Sequence, residues 1–259
     1  MRKIFYSFLS LALALFLVLP SAVSFASYNN ETEVTKKLDS KEYYMISLDD
    51  GSVMFSKNEQ KKVPPAAFVK LLAAVAAIEN WGNLEEQVKV TEKSLSLVEY
   101  TYGVRVADLK AGETYTKKQL VDALIVYGAN DIASVVASSI SGSSAAFVSL
   151  MQTLADKIGC KNTKLKNITG FDEDGQYTSA EDVAKIVKYA LNYPAFSEAF
   201  SASEVVLPKT AENEERTYSA SNKMLNQTIS LYYHSSITGG KQTSTDKAGE
   251  CIAAVSSQD

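Results

Sequence analysis

Residues 66–80, AAFVKLLAAVAAIEN, constrain the fold more than any other segment. Apolar side chains occupy nearly the whole circumference of a helix drawn through them, so that helix has no face to turn to water. It must be enclosed by other helices or by a sheet. A chain of 259 residues, 46% of them hydrophobic, has enough material to do so. Lys70 lies one turn into this helix, where an unpaired ammonium is costly to bury. One reading has its stem running out to solvent. The other makes it a base of lowered pKa beside a nucleophile one turn earlier, at position 67.

The rest of the chain supplies the enclosure. Arg2 and Lys3 precede an apolar run that Pro20 ends, and Ser24-Phe25-Ala26 follows. That order is the pattern of a secretory signal peptide over residues 1–26, with an uncleaved membrane anchor as the alternative. Residues 27–41 are a polar linker and 42–259 a single domain. Residues 43–48 and 52–56 flank Asp49-Asp50-Gly51 and read as a β-hairpin. Helices are expected over 116–127, 131–139 and 143–158, the last stopped by Gly159. Another is expected from a capping box at Ser179-Ala180-Glu181-Asp182 to about Asn192. Two late apolar runs, 231–237 and 251–255, read as strands. Strands at both ends with helices between them make an α+β domain.

Charge and rare residues narrow the chemistry. Lys and Arg total 26 against 30 Asp and Glu, a net −4, and no basic block exceeds a Lys-Lys pair. No nucleic-acid partner is expected from that pattern. One histidine, His234, and two cysteines, Cys160 and Cys251, make a zinc site of His and Cys unexpected, and no cofactor is implied. The two cysteines are left open between one disulfide and buried free thiols. His234 is expected to be structural and partly exposed.

With these elements in place, the segment Pro64 to Lys70 resembles the Ser-x-x-Lys motif of the serine D-alanyl-D-alanine carboxypeptidases, the low-molecular-mass penicillin-binding proteins. Further similar segments follow in order: Ala111-Gly112-Glu113, Leu124-Ile125-Val126 before Asn130-Asp131, and Asn167-Ile168-Thr169-Gly170-Phe171. Ser221-Asn222-Lys223, Gly239-Gly240-Lys241 and Ala248-Gly249 complete the series. The resemblance implies a β-lactamase/transpeptidase-like fold, an antiparallel sheet of five strands flanked by a helical cluster. The last strand of such a sheet has no counterpart before Asp259, leaving a gap beside the N-terminal hairpin. It also implies a secreted, cell-envelope protein with no membrane span after signal cleavage.

The departures fall on the chemistry. Ala67 stands at the nucleophile position, Gly128 at the serine of the second motif, and Lys241-Gln242-Thr243 where the family has Lys-Thr-Gly. Lys70, Asn130 and Lys241 are retained. The resemblance gives them the roles of general base, polar contact to substrate, and cation facing the substrate's terminal carboxylate. A methyl group at 67 cannot attack a carbonyl. The only other Ser-x-x-Lys, Ser244 to Lys247, lies between two strands and reads as a turn. The leading expectation is therefore an inactive relative. Lys241 and Asn130 would bind a peptidoglycan stem peptide or its D-Ala-D-Ala end, and β-lactams without a covalent bond. An active carboxypeptidase trimming terminal D-Ala is the alternative, and a decayed product the third reading.

Overall fold

The enclosed helix forms as its sequence requires. In the computed structural model, which describes residues 38–97, 104–228 and 231–257, a 3-10 turn (Ala66–Phe68) leads straight into α1 (Val69–Trp81). Every residue from 69 to 77 is buried, Lys70 included. Leu71, Leu72 and Val75 each gain roughly 1.5–3 kcal/mol from leaving water. Gly82 ends the helix. The signal-peptide expectation and most of the linker lie outside the described residues.

The hairpin expected at 43–56 is β1 (Tyr43–Ile46) paired with β2 (Val53–Lys57). After α1 come β3 (Gln87–Lys89), the short α2 (Glu92–Leu95) and β4 (Thr114–Thr116), then the helical cluster of α3 (Lys117–Val126), α4 (Asn130–Ser141) and α5 (Ser144–Ile158). Their boundaries are chemical. Thr116 and Gln119 exchange side-chain bonds with each other's backbone N–H at the head of α3. Ser143 caps α5, and Gly142 and Gly159 close α4 and α5 in the left-handed conformation. Next come α6 (Ala180–Ala190), α7 (Pro194–Ser201), β5 (Glu204–Leu207), β6 (Arg216–Ser219), a 3-10 turn at Lys223–Leu225, β7 (Ile237–Thr245) and β8 (Gly249–Ser256). α3, α4, α5 and α6 pack around α1, and β7 lies against the Ala66–Phe68 turn and α7.

Two details depart from the sequence expectations, and two expectations left open are settled. The 231–237 run is not a strand: Leu231 and Tyr232 are exposed, and β7 begins at Ile237, where that run ends. Its sequence, ITGGKQTST, has no apolar alternation, because glycines and one lysine face the core instead. Ser179 caps α6 by accepting from Asp182 N, but the reciprocal half of the box is missing. The Asp182 carboxylate accepts from Asn162 N at 2.6 Å and Thr163 Oγ1 at 2.8 Å instead. The sheet, expected with a gap where its last strand is missing, is among the described residues four separate antiparallel pairs. β1 and β8 both rest on α6 without bonding to each other, so the late hairpin does not pair with the early one. Both cysteines are free thiols, Cys160 in the core and Cys251 half-buried.

Candidate active-site cleft

A cleft of about 300 Å³ opens where α1, α4 and β7 meet. Ala67, Lys70, Gly128, Asn130, Lys241, Gln242 and Thr243 all line it, so every site position singled out in the sequence reaches one place. His234 is exposed, outside the cleft, with Nδ1 against Ser236 Oγ at 2.8 Å. Ser244 lines the cleft, but Lys247 reaches out to Asp174 at 3.2 Å, so Ser244–Lys247 does not repeat the buried arrangement at Lys70.

The floor is built from the head of α1. Ala66 adopts φ 45, a left-handed conformation that costs a residue with a Cβ. Gly170 presses on it so closely that a Cβ there would stand 1.9 Å from Ala66 O. The loop bearing Gly170 is pinned by Asn167, whose Oδ1 accepts from Gly170 N at 2.8 Å, and by Gln176, whose Oε1 accepts from Lys166 N and Asn167 N. The same loop turns Thr169 O inward to accept from Lys70 Nζ at 2.8 Å. One helical turn before Lys70, the backbone N–H of Ala67 donates to Thr243 Oγ1 at 3.0 Å.

Lys70 is 3% exposed and does not pair with a carboxylate among the described residues. Burial, with the Arg105 charge adding to it, lowers its amine from 10.5 to about 7 against a smaller upward pull from Asp131. Asp131 directs its carboxylate to the N–H groups of Ala107, Leu109 and Ile132. Across the cleft Lys241 is 1% exposed, and its Nζ donates to Ile125 O at 2.7 Å. Burial first, then the Lys70 and Arg105 charges, hold it well below an ordinary lysine.

Gly128 sits between α3 and α4 at φ 79, and a Cβ on it would stand 2.8 Å from Lys241 Nζ. A side chain at this position therefore points at the Lys241 ammonium. Asn130 opens α4, its N–H donating to Arg105 O at 2.9 Å. Its Oδ1 is buried with no donor among the described residues.

Sequence reasoning missed Arg105. It belongs to a stretch without regular structure, and no periodic pattern marks it. Its guanidinium donates to Tyr127 O at 2.8 Å and lies over the Tyr127 ring at 5.0 Å, which sets a third cation on the cleft wall. The one available signal was rarity, since the chain has three arginines.

A buried lysine one turn into an enclosed helix, an asparagine heading a second helix and a lysine on the facing strand thus meet in one cleft. The structure is similar to that of the Streptomyces K15 DD-transpeptidase, with a TM-score of 0.74 at 20% identity, covering 84% of each chain. Residues 29–259 match the profile of the Peptidase S11 family, D-alanyl-D-alanine carboxypeptidase, and the chain belongs to that family. Among its relatives are DacF of Bacillus subtilis, 28% identical over 239 residues, and DacB2 of Mycobacterium tuberculosis, 25% identical over 211. The match to DacF takes in 91% of this chain and 58% of DacF, so the chain spans less than two thirds of that relative's length.

Proposed function

We propose that this family member has lost serine-peptidase chemistry and keeps its cleft as a non-covalent site for the D-Ala-D-Ala end of peptidoglycan stem peptides, acting outside the cytoplasm after export on residues 1–26. The observation that carries this reading is the environment of position 67. Ala67 has no hydroxyl to attack with, and its N–H is already bonded to Thr243 Oγ1. In acyl transfer such an amide serves the developing oxyanion. Here both the nucleophile and the free donor are missing from one residue. Arg105 on the cleft wall and two lysine amines that can take up protons suit a peptide ending in a carboxylate.

A second reading, an active carboxypeptidase, has one feature in its favour: a Lys70 amine lowered to about 7 would be a competent base at neutral pH. Incubation with a fluorescent penicillin, followed by intact-mass measurement, separates the two. The binding reading expects no covalent adduct on the unmodified chain. An adduct there would establish an acylating residue and overturn it.

A further inference from the structure

Losing two hydroxyls changes what the inner end of the cleft holds. Lys70 and Lys241 each present a buried amine with a single protein acceptor among the described residues, Thr169 O for one and Ile125 O for the other. When protonated each has three donors, so each then keeps two N–H groups without an acceptor among the described residues. A side chain at Gly128 would be aimed at Lys241 Nζ, and Ala67 offers only a methyl. Asn130 adds a nine-tenths-buried amide whose Oδ1 has no donor among the described residues. Two buried amines without a carboxylate partner are driven toward their neutral form, and a ligand that brings a negative charge restores their protons.

We propose that the inner end of the cleft, lined by Lys70, Lys241, Gly128 and Asn130, is a seat for one small carboxylate, whose two oxygens accept the unused N–H groups of both lysines. This differs from the expected family role of Lys241 alone facing a substrate carboxylate. Here the seat uses Lys70 as well, and it exists because positions 67 and 128 carry no hydroxyl. The carboxylate is either a free small acid or the end of a bound stem peptide. The second source rests on the proposed function, and the first does not.

Loading is coupled to protons. The charged groups bearing on Lys70 are Arg105 and Asp131, and those on Lys241 are Lys70 and Arg105. Lys223 and Glu250 line the cleft, and the Glu250 carboxylate accepts from Gln242 Nε2 at 3.2 Å. Asp131, bonded to three backbone N–H groups, pulls the Lys70 amine upward, but less than Arg105 pushes it down. A carboxylate favours the protonated lysines, and its binding takes up protons wherever they are partly neutral.

The test titrates acetate against the full chain and against Lys70→Met, Lys241→Met and Gly128→Ala, following the unfolding temperature at matched ionic strength, with acetamide as the neutral control. The wild type should show a saturable rise with acetate and none with acetamide. Both methionine variants should start from a higher unfolding temperature and lose the rise. Gly128→Ala keeps both charges and fills the space, and it should weaken acetate at least about tenfold. Calorimetry at neutral pH in two buffers of different ionisation enthalpy should show proton uptake. Affinity should fall as pH rises above neutrality, by up to about tenfold per pH unit for each lysine that binding protonates. A rise that persists in Lys70→Met or Lys241→Met, or one that ignores pH, overturns the seat. N-acetyl-D-Ala-D-Ala and its C-terminal amide distinguish the sources. Competition with acetate by the acid alone identifies the peptide end as an occupant. Acetate binding without any peptide binding upholds the seat and removes the proposed function. Peptide binding with no acetate response does the reverse.

Discussion

The Ala67 amide donates to the side chain of Thr243 at 3.0 Å, so the first motif's altered residue is capped by the third motif's altered residue. The two departures meet at one residue: position 67 lacks the hydroxyl, and Thr243 occupies its amide. Restoring the serine without removing the threonine returns a nucleophile to a site whose amide is still occupied.

Ala67→Ser alone should therefore react only slowly with a fluorescent penicillin, whereas Ala67→Ser/Thr243→Gly should react faster. An oxyanion donor contributes about 10²–10³ in rate, and the double variant should gain on the order of 10² over the single one. Acylation rates from intact mass decide it. Equal rates would mean that the Thr243 hydroxyl moves aside at no cost.

Lys70 makes stability depend on pH in a definite direction. Its folded amine lies at about 7 against 10.5 for an ordinary lysine, so between these values the unfolded chain holds more protons. Stability therefore rises with pH across that window, by up to about 1.4 kcal/mol per unit for this group, and the cost of burying the ammonium is complete below it. Lys70→Met should unfold at higher temperature than the wild type near neutral pH. The difference should shrink toward alkaline pH. Thermal melts across that range measure it.

The wall carrying Arg105 is held by a second buried charge. Glu113 is fully buried, and its carboxylate accepts from Lys110 N, Tyr115 OH, Asn213 Nδ2 and Thr210 Oγ1, with Arg216 Nη2 at 2.8 Å. Arg216 also donates to Ala107 O and Asp108 O in the same stretch as Arg105. Arg216→Met should cost about 3–5 kcal/mol by stranding the carboxylate, and Glu113→Gln in the same chain should recover part of it. Burial alone would raise the Glu113 pKa, but its hydrogen bonds and Arg216 outweigh that and lower it from 4.5. The stabilisation it gives is present above that value and lost as pH falls through the lower folded value. Denaturant titrations of the wild type and both variants at neutral and acid pH check both statements.

Gly170→Ala should damage the fold from the cleft floor. The added methyl meets Ala66 O at 1.9 Å at a position with φ 87, so both overpacking and backbone strain oppose it. We expect a loss on the order of 3 kcal/mol in chemical unfolding.

The helical cluster was legible because its signals are local. Ala-rich residues at 66–80 announce enclosure, and Ser143, Gly159 and Ser179 mark helix ends that the structure keeps. β7 was misplaced because its inward residues are Gly239, Gly240 and Lys241, which no hydrophobic pattern selects. β3, β4, β5 and β6 are three or four residues long and went unread for lack of a repeat. The cleft positions were legible through ordered motifs. The bond between Ala67 and Thr243 was not, since 176 residues separate them and only the fold brings them together. Arg105 was hidden for the same reason: its importance lies in three-dimensional proximity to Lys70 and Lys241.

The central claim is that the cleft binds a D-Ala-D-Ala end without cleaving it. The direct measurement is calorimetric titration of the full chain with a diacetylated L-Lys-D-Ala-D-Ala peptide, followed by recovery of the ligand and assay for released D-alanine. The account predicts saturable binding that Lys241→Met weakens, with the peptide recovered intact. Release of D-alanine at a rate abolished by a cleft substitution, or no binding at millimolar peptide, would contradict it.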